Sequence, residues 1–200
     1  MVKDSGMCKI KITKDGPYLV SGNVPIAEKI IVPKGKTYEF IEGRPLPQSE
    51  HYSHCRCGHS KNAPFCDGNH LKNGFIGKEN ASKELYQDRA EFMEGAQVDL
   101  MDDGRCAFAR FCHRKNGKVW ARAEESDIGD NREEVIAAAN NCPSGRLTAV
   151  DKDGTEDEPD YQPSIDILQD SERRVSSGVF VKGNIKWNRL TAPFMKSGTE

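Results

Sequence analysis

Sixteen residues, Cys55 to His70, constrain this chain more than any other stretch; they read Cys-Arg-Cys-Gly-His-Ser-Lys-Asn-Ala-Pro-Phe-Cys-Asp-Gly-Asn-His. Thiolates are soft ligands that select zinc, copper(I) or iron–sulfur clusters, and imidazole suits zinc and iron. The candidate ligands are therefore Cys55, Cys57, Cys66 and His70. Zinc sites usually leave roughly two to four residues between the first two cysteines, so that both sulfurs fold round one ion. Here Arg56 alone stands between Cys55 and Cys57. That is tight for one tetrahedral ion. It is comfortable if both sulfurs approach one iron of a small cluster and Cys66 and His70 hold a second.

With Cys55, Cys57, Ser60, Pro64, Cys66, Asp67, Gly68 and His70 in register, the stretch resembles the CDGSH iron–sulfur domain family, whose pattern is C-x-C-x2-(S/T)-x3-P-x-C-D-G-(S/A/T)-H. Asn69 departs from it, at a position that carries no ligand. The resemblance implies a [2Fe–2S] cluster held by the three cysteines and His70, on a small β-rich module. The residues agree with it. Asp67 suits a helix N-cap, which would aim N–H groups and the positive end of a helix at an anionic cluster. Pro64 holds the chain extended before Cys66, and Phe65 is suited to shielding the sulfurs. An imidazole in place of a thiolate removes one negative charge and raises the reduction potential, as in Rieske centres. It is also a ligand for which protons compete near neutral pH. His51, His54 and His59 flank the loop and read as solvated polar side chains rather than a second metal site. Lys61 is either an ordinary exposed lysine or a charge that tunes the cluster.

Net charge is −2 over 200 residues, so no electrostatic attraction to nucleic acid or membrane is expected. Hydrophobic residues make up 36 % and mean hydropathy is −0.71, which predicts thin cores to which bound clusters add stability. No run of about 18 apolar residues occurs, and Met1 to Gly6 lacks an apolar core, so neither a membrane span nor a signal peptide is expected. Of the seven cysteines, six fall into ligand groupings, and Cys8 is left as an inert strand residue. This usage suits a reducing, cytoplasmic setting rather than a disulfide scaffold.

A second grouping begins at Cys106-Ala-Phe-Ala-Arg-Phe-Cys112 and ends at Cys142-Pro143. Cys106 and Cys112 stand as the outer pair of C-x2-C-x2-C, Ala109 stands where the middle cysteine would be, and Cys142-Pro143 matches the distant ligand. Three thiolates with that one missing suggest a [3Fe–4S] cluster; a [4Fe–4S] cluster with a non-cysteine ligand or an open iron is the alternative. His113 is either a fourth ligand or an exposed side chain. Asp130 and Glu133 form a capping box for a helix over 131–140 that leads into Cys142. Strands are expected at Gln97–Leu100, Val119–Ala121 and Arg146–Val150, a turn at Asp102–Gly104, and a short helix over Tyr86–Met93. Residues 95–153 resemble the divergent single-cluster ferredoxin domain, which is found fused to CDGSH modules.

Nearer the N-terminus, Lys9–Thr13, Tyr18–Val20, Ile26–Val32 and Tyr38–Phe40 read as strands, and Pro45–Ser49 as a loop. Residues 17–24 (PYLVSGNV) recur as 178–185 (GVFVKGNI), the start of a second β unit of the same kind. No cysteine follows Cys142, so this half-repeat has no cluster of its own. It is expected to complete the first unit's sheet, or to leave an edge for a homodimer. Trp187 and Phe194 are expected to pack, and 154–163 to serve as an acidic linker. The expected fold is α+β: a CDGSH module over 1–80, a ferredoxin-like domain over 81–155, and a linker with a β half-repeat over 156–200. The expected function is electron transfer by a non-enzymatic iron–sulfur protein, with redox or cluster-accepting proteins as partners. Cluster transfer or redox and iron sensing is one alternative, and a zinc-stabilised interaction module another. No nucleophile–base pair, phosphate loop or nucleotide fingerprint argues for an enzyme.

Overall fold

Thirteen strands, three helices and one 3-10 turn occupy the residues that the computed structural model describes, 8–78, 80, 82 and 84–188. Five strands come first: β1 (Lys9–Ile12), β2 (Tyr18–Ser21), β3 (Ile26–Lys34), β4 (Thr37–Glu42) and β5 (His51–His54), followed by the turn Asn69–Leu71. Next come α1 (Tyr86–Arg89), β6 (Glu91–Met93), β7 (Val98–Asp102), β8 (His113–Arg114) and β9 (Gly117–Lys118). The chain continues through α2 (Val119–Glu124), α3 (Asn131–Asn140), β10 (Leu147–Asp151), β11 (Ser164–Asp170), β12 (Val175–Lys182) and β13 (Lys186–Asn188). The protein is α+β with strand dominant.

These elements form two compact units that cut across the linear segments 1–80, 81–155 and 156–200. Unit one takes the described residues of 8–25, 48–82 and 184–188, and its sheet runs β13-β1-β2-β5. Unit two takes 26–47 and 84–183; it has a sheet β12-β11-β3-β4, a sheet β10-β7-β6 and the β8-β9 hairpin. The cause is strand pairing. In unit one, Val20 lies opposite Ile10, and Ile10 pairs in parallel with Trp187. In unit two, Val181 lies opposite Ile165, and Ile165 pairs in parallel with Ile26. Trp187 follows Val181 by the same six residues that separate Ile26 from Val20. Each repeat is thus a hairpin whose third strand joins the other hairpin, in one shared register. Gly22 and Gly183 end the two hairpins at φ 96° and 72°, where a side chain is disfavoured.

The half-repeat therefore divides. Its residues up to Lys182 lie in β12 and pair with β11, their neighbour across a short connection, in the sheet that holds β3 and β4. The strand that completes unit one's sheet is β13, beyond Gly183. Trp187 packs only in part: it is 48 % exposed and sets its ring edge-on to Tyr18 at 6.2 Å. Phe194 and Met1–Gly6 lie outside the described residues. Cys8 is half-buried ahead of β1, its thiol 3.5 Å from the Gly22 carbonyl.

The core of the ferredoxin-like part joins Val98 and Leu100 of β7, Leu147 and Ala149 of β10, Val119 and Ala123 of α2, and Val135, Ala138 and Ala139 of α3. Each large aliphatic chain buried here stabilises the fold by about 1.5–3 kcal/mol. Three local expectations are corrected. Val119–Ala121 open a helix rather than a strand, because Val119 and Ala123 share one buried helical face and Ala121–Glu124 are good helix formers. The helix at Tyr86 stops at Arg89, and Glu91–Met93 pair instead with Leu100–Asp102. Asp130 makes no side-chain bond to the start of α3, so the capping box does not form. The segment after β10 is tied to its neighbours: the Asp157 N–H donates to the Ala149 carbonyl at 2.9 Å, and the Tyr161 hydroxyl to the Asn140 carbonyl at 3.1 Å. No helix among the described residues is long and apolar enough to cross a membrane.

Candidate metal centres

In unit one β5 delivers the chain to Cys55. Its sequence, His-Tyr-Ser-His, carries no apolar signal and was not expected as a strand; it forms by pairing with β2. The loop then closes back on it. The Cys55 N–H donates to the Pro64 carbonyl and the Cys66 N–H to the Ser53 carbonyl, each at 2.8 Å. Inside the loop the Ser60 hydroxyl donates to the Phe65 carbonyl (2.5 Å) and accepts the Asn62 N–H (3.0 Å). Phe65 meets Tyr52 edge-on at 6.0 Å. Its ring thus packs beside β5.

Asp67 works as a turn acceptor rather than as the cap of an α-helix. Its carboxylate takes the N–H groups of Lys61 (2.8 Å) and Asn69 (3.0 Å), and a single 3-10 turn comes after Gly68. Those bonds hold the Asp67 carboxyl below the usual carboxylate range. Asn69, the departure from the family pattern, donates its amide to the His59 carbonyl (3.0 Å) and to Asp67 (2.9 Å), so it ties the loop together. Lys61 is exposed.

The four candidate ligands come together as two pairs, all half-buried. The sulfurs of Cys55 and Cys57 are 3.8 Å apart, and the Cys66 sulfur is 3.4 Å from His70 Nδ1. Two sulfurs about 2.3 Å from one tetrahedral metal stand about 3.8 Å apart, and a sulfur and an imidazole nitrogen about 3.5 Å apart. Each pair therefore fits one metal atom. Among the described residues no three His, Cys, Asp or Glu side chains converge on one ion. The His59 backbone N–H, against the cost of burial and with help from Cys55 and Asn73, holds the Cys57 thiol below its ordinary pKa, which favours the thiolate ligand form. His51 is exposed beside Glu50, and His59 is exposed with Nδ1 on the Cys57 carbonyl. His54 is instead half-buried and stacked on Tyr18 at 6.0 Å, and burial pushes its imidazole down.

Arg56, between the first two cysteines, carries a role that sequence reading missed. Its guanidinium lies over Tyr18 (5.5 Å) and Phe75 (5.7 Å) and donates to the carbonyls of Thr13 (3.3 Å) and Gly77 (2.8 Å). It clamps the cysteine loop to the segments on either side of it. A cation flanked by two ligands is the signal that could have drawn attention to it.

In unit two the three remaining cysteines line one pocket with Ala109, Trp120 and Arg146. Cys106 is exposed; Cys112 and Cys142 are half-buried. Burial, together with the neighbouring Cys106 and Cys142, pushes the Cys112 thiol up. Within the loop Phe108 and Arg110 take left-handed φ of 56° and 67°, and the Phe108 N–H points at the Cys106 sulfur at 3.2 Å. Such alternation turns backbone N–H groups into a concavity that suits anions, iron–sulfur clusters among them. Non-glycine residues hold this conformation only when the surroundings impose it. Here Arg110 forks onto Asp170 (2.7 and 3.1 Å) under the Tyr38 ring (4.4 Å), and Phe111 stacks on Phe40 at 4.3 Å. Ala109 is buried with Phe111 against Ile31 and Leu168. Cys142 arrives at the end of α3, its N–H on the Ala139 carbonyl at 2.9 Å. His113 is exposed and does not line the pocket.

Each of these two sites lies within a stretch that matches an iron–sulfur family model. Residues 15–71 match the family model described as iron-binding zinc finger, CDGSH type, and residues 93–152 match the one described as divergent 4Fe-4S mono-cluster. The chain therefore joins a CDGSH segment to a divergent mono-cluster segment, the fused architecture that its motifs resemble. No curated protein and no solved structure matches it.

Proposed function

We propose that this iron–sulfur protein is a non-enzymatic electron carrier with two clusters. Cys55 and Cys57 hold one iron of a [2Fe–2S] cluster, and Cys66 and His70 hold the other. Cys106, Cys112 and Cys142 hold a [3Fe–4S] cluster, or a [4Fe–4S] cluster with one iron not bound by cysteine. The observation that carries the reading is the pairing of ligands at 3.8 and 3.4 Å within one loop, each pair the size of a single metal's coordination edge. At the second site, the concavity made by Phe108 and Arg110 supports an anionic cluster. When bound, such clusters supply one-electron oxidation and reduction. The protein's part is to fix the ligands, limit water at the sulfurs and set the local charge.

Iron and sulfide quantitation with EPR of oxidised and reduced protein tests the proposal. Two sets of signals that respond to dithionite are expected; a colourless protein with stoichiometric zinc overturns it. A second reading, cluster transfer or iron sensing, draws support from the imidazole at His70, a ligand that protons displace more readily than a metal-bound thiolate. Mixing with an apo-ferredoxin distinguishes it: movement of the cluster that His70→Cys slows supports transfer, and no movement leaves electron transfer alone. β13 occupies an edge of β1 where a second copy's strand would otherwise pair, which favours a monomer. A homodimer is the alternative, and sedimentation decides between them.

A further inference from the structure

Two arginines line the second pocket, and their guanidinium groups are held differently. That of Arg110 is taken up by Asp170 and Tyr38. Arg146 donates Nε and Nη2 to the two oxygens of Asp102 at 2.5 and 2.7 Å and lies over the Trp120 ring at 5.4 Å. The Trp120 indole N–H donates to the same carboxylate at 3.0 Å. Asp102 is buried at the end of β7, and Arg146 directly precedes β10. A guanidinium has five N–H groups. With two given to Asp102, others remain for the pocket that Arg146 and Cys106 both line. The Asp102 carboxylate and the Trp120 ring thus fix the guanidinium at a pocket that all three cysteines line.

We propose that Arg146 is a positioning residue for the second cluster: it gives the Cys106 thiolate a charge-assisted N–H···S contact that holds this exposed ligand in place and makes the cluster easier to reduce. This rests on the reading that Cys106, Cys112 and Cys142 bind a cluster. Hydrogen bonds to the sulfurs and local positive charge both favour the more negative, reduced state.

The test uses the full-length protein with Arg146→Gln and Arg146→Lys, a redox titration of both clusters followed by EPR, and iron and sulfide content. In Arg146→Gln the second cluster's equilibrium shifts about tenfold toward the oxidised form, ~59 mV for one electron, and the first cluster's midpoint stays at the wild-type value. Arg146→Lys, which keeps the charge, recovers at least half of that shift. Loss of the second cluster in Arg146→Gln but not in Arg146→Lys also supports the proposal. A wild-type midpoint in Arg146→Gln with the cluster intact overturns the inference and leaves the two-cluster reading standing. Loss of the cluster and of folding in both variants overturns it too, since Arg146 would then be structural only. A wild-type protein with no second cluster, where Cys142→Ala changes neither iron nor sulfide, overturns the cluster reading itself and the inference with it.

Discussion

The two cysteine sites are put together in different ways. All four candidate ligands of the first lie between 55 and 70, and the loop's own hydrogen bonds, from Cys55 to Pro64 and from Cys66 to Ser53, close it against one strand. The second gathers Cys106 and Cys112 from a loop and Cys142 from the end of a helix. That loop keeps its left-handed residues because Arg110 and Phe111 are anchored on a separate sheet, at Asp170, Tyr38 and Phe40. Arginine use divides the same way. Arg56 binds carbonyls and rings, whereas Arg110 and Arg146 are forked onto buried carboxylates. A site held by local bonds should tolerate damage elsewhere in the chain; one held by tertiary anchors should not.

Ligand removal is expected to have the largest effect. Cys66→Ala should abolish the first cluster and leave the second, and Cys142→Ala should do the reverse, read as separate losses of EPR signal and of iron. Loss of both clusters in either variant breaks the comparison. Next in size is Arg110→Ala. It strands Asp170, whose side chain is 3 % exposed, without its partner, at a cost of about 3–5 kcal/mol. Urea unfolding should show unit two and the second cluster weakened, with first-cluster absorption unchanged before the transition.

Acid separates the sites by another route. Arg110 and backbone N–H groups outweigh burial to hold the Asp170 carboxyl below its ordinary range. Burial opposes ionisation of Asp102, but Arg146, the Gly104 N–H and Trp120 outweigh it. Arg114 lowers Glu134 in the same way. A carboxyl depressed in the folded state contributes stability that is fully present above its unfolded pKa, about 4. That stability is lost as pH falls through the lower folded value. Unit two should therefore hold its circular dichroism down to about pH 4, while a first cluster held by His70, as proposed, should lose its colour already in mildly acidic buffer. The opposite order would reverse the assignment of the acid-sensitive site. The smallest effect is expected for Arg56→Lys. Exchanging the planar fork for an ammonium weakens two ring contacts and the carbonyl bonds, costing about 1–2 kcal/mol, seen as a lower Tm of unit one with its cluster retained.

Much of this architecture is legible in the residue order. The alternating strand β1, the apolar run of β2, the β-branched strand β3 and the α3 helix ending before Cys142 all stand where their residue patterns place them. These are short-range features: Ile10 and Val20 are the buried positions of short strands whose neighbours are more exposed, and α3 forms over a run of alanines preceded by two glutamates. Val119–Ala121 mislead because β-branched and aromatic residues favour strands, and the buried partners that make them helical lie on β7 and α3. β5 is hidden for a similar reason, since only its pairing with β2 makes a strand of His-Tyr-Ser-His. Asp102 and Asp170 read as surface acids; nothing near them in the chain names Arg146 or Arg110 as partner.

By itself the sequence determined which residue types stand in the first loop and at what spacing, and the proposed ligand set follows from these because ligand chemistry resides in residue type. It also determined that a β-hairpin recurs near the C-terminus. Tertiary structure decided which sheet each repeated strand enters and what holds the second loop open to its pocket. Parallel pairing of β13 with β1 and of β3 with β11, and the forks on Asp102 and Asp170, join residues about forty to 180 positions apart. Over such separations, contact is selected by burial and loop closure rather than by local preference.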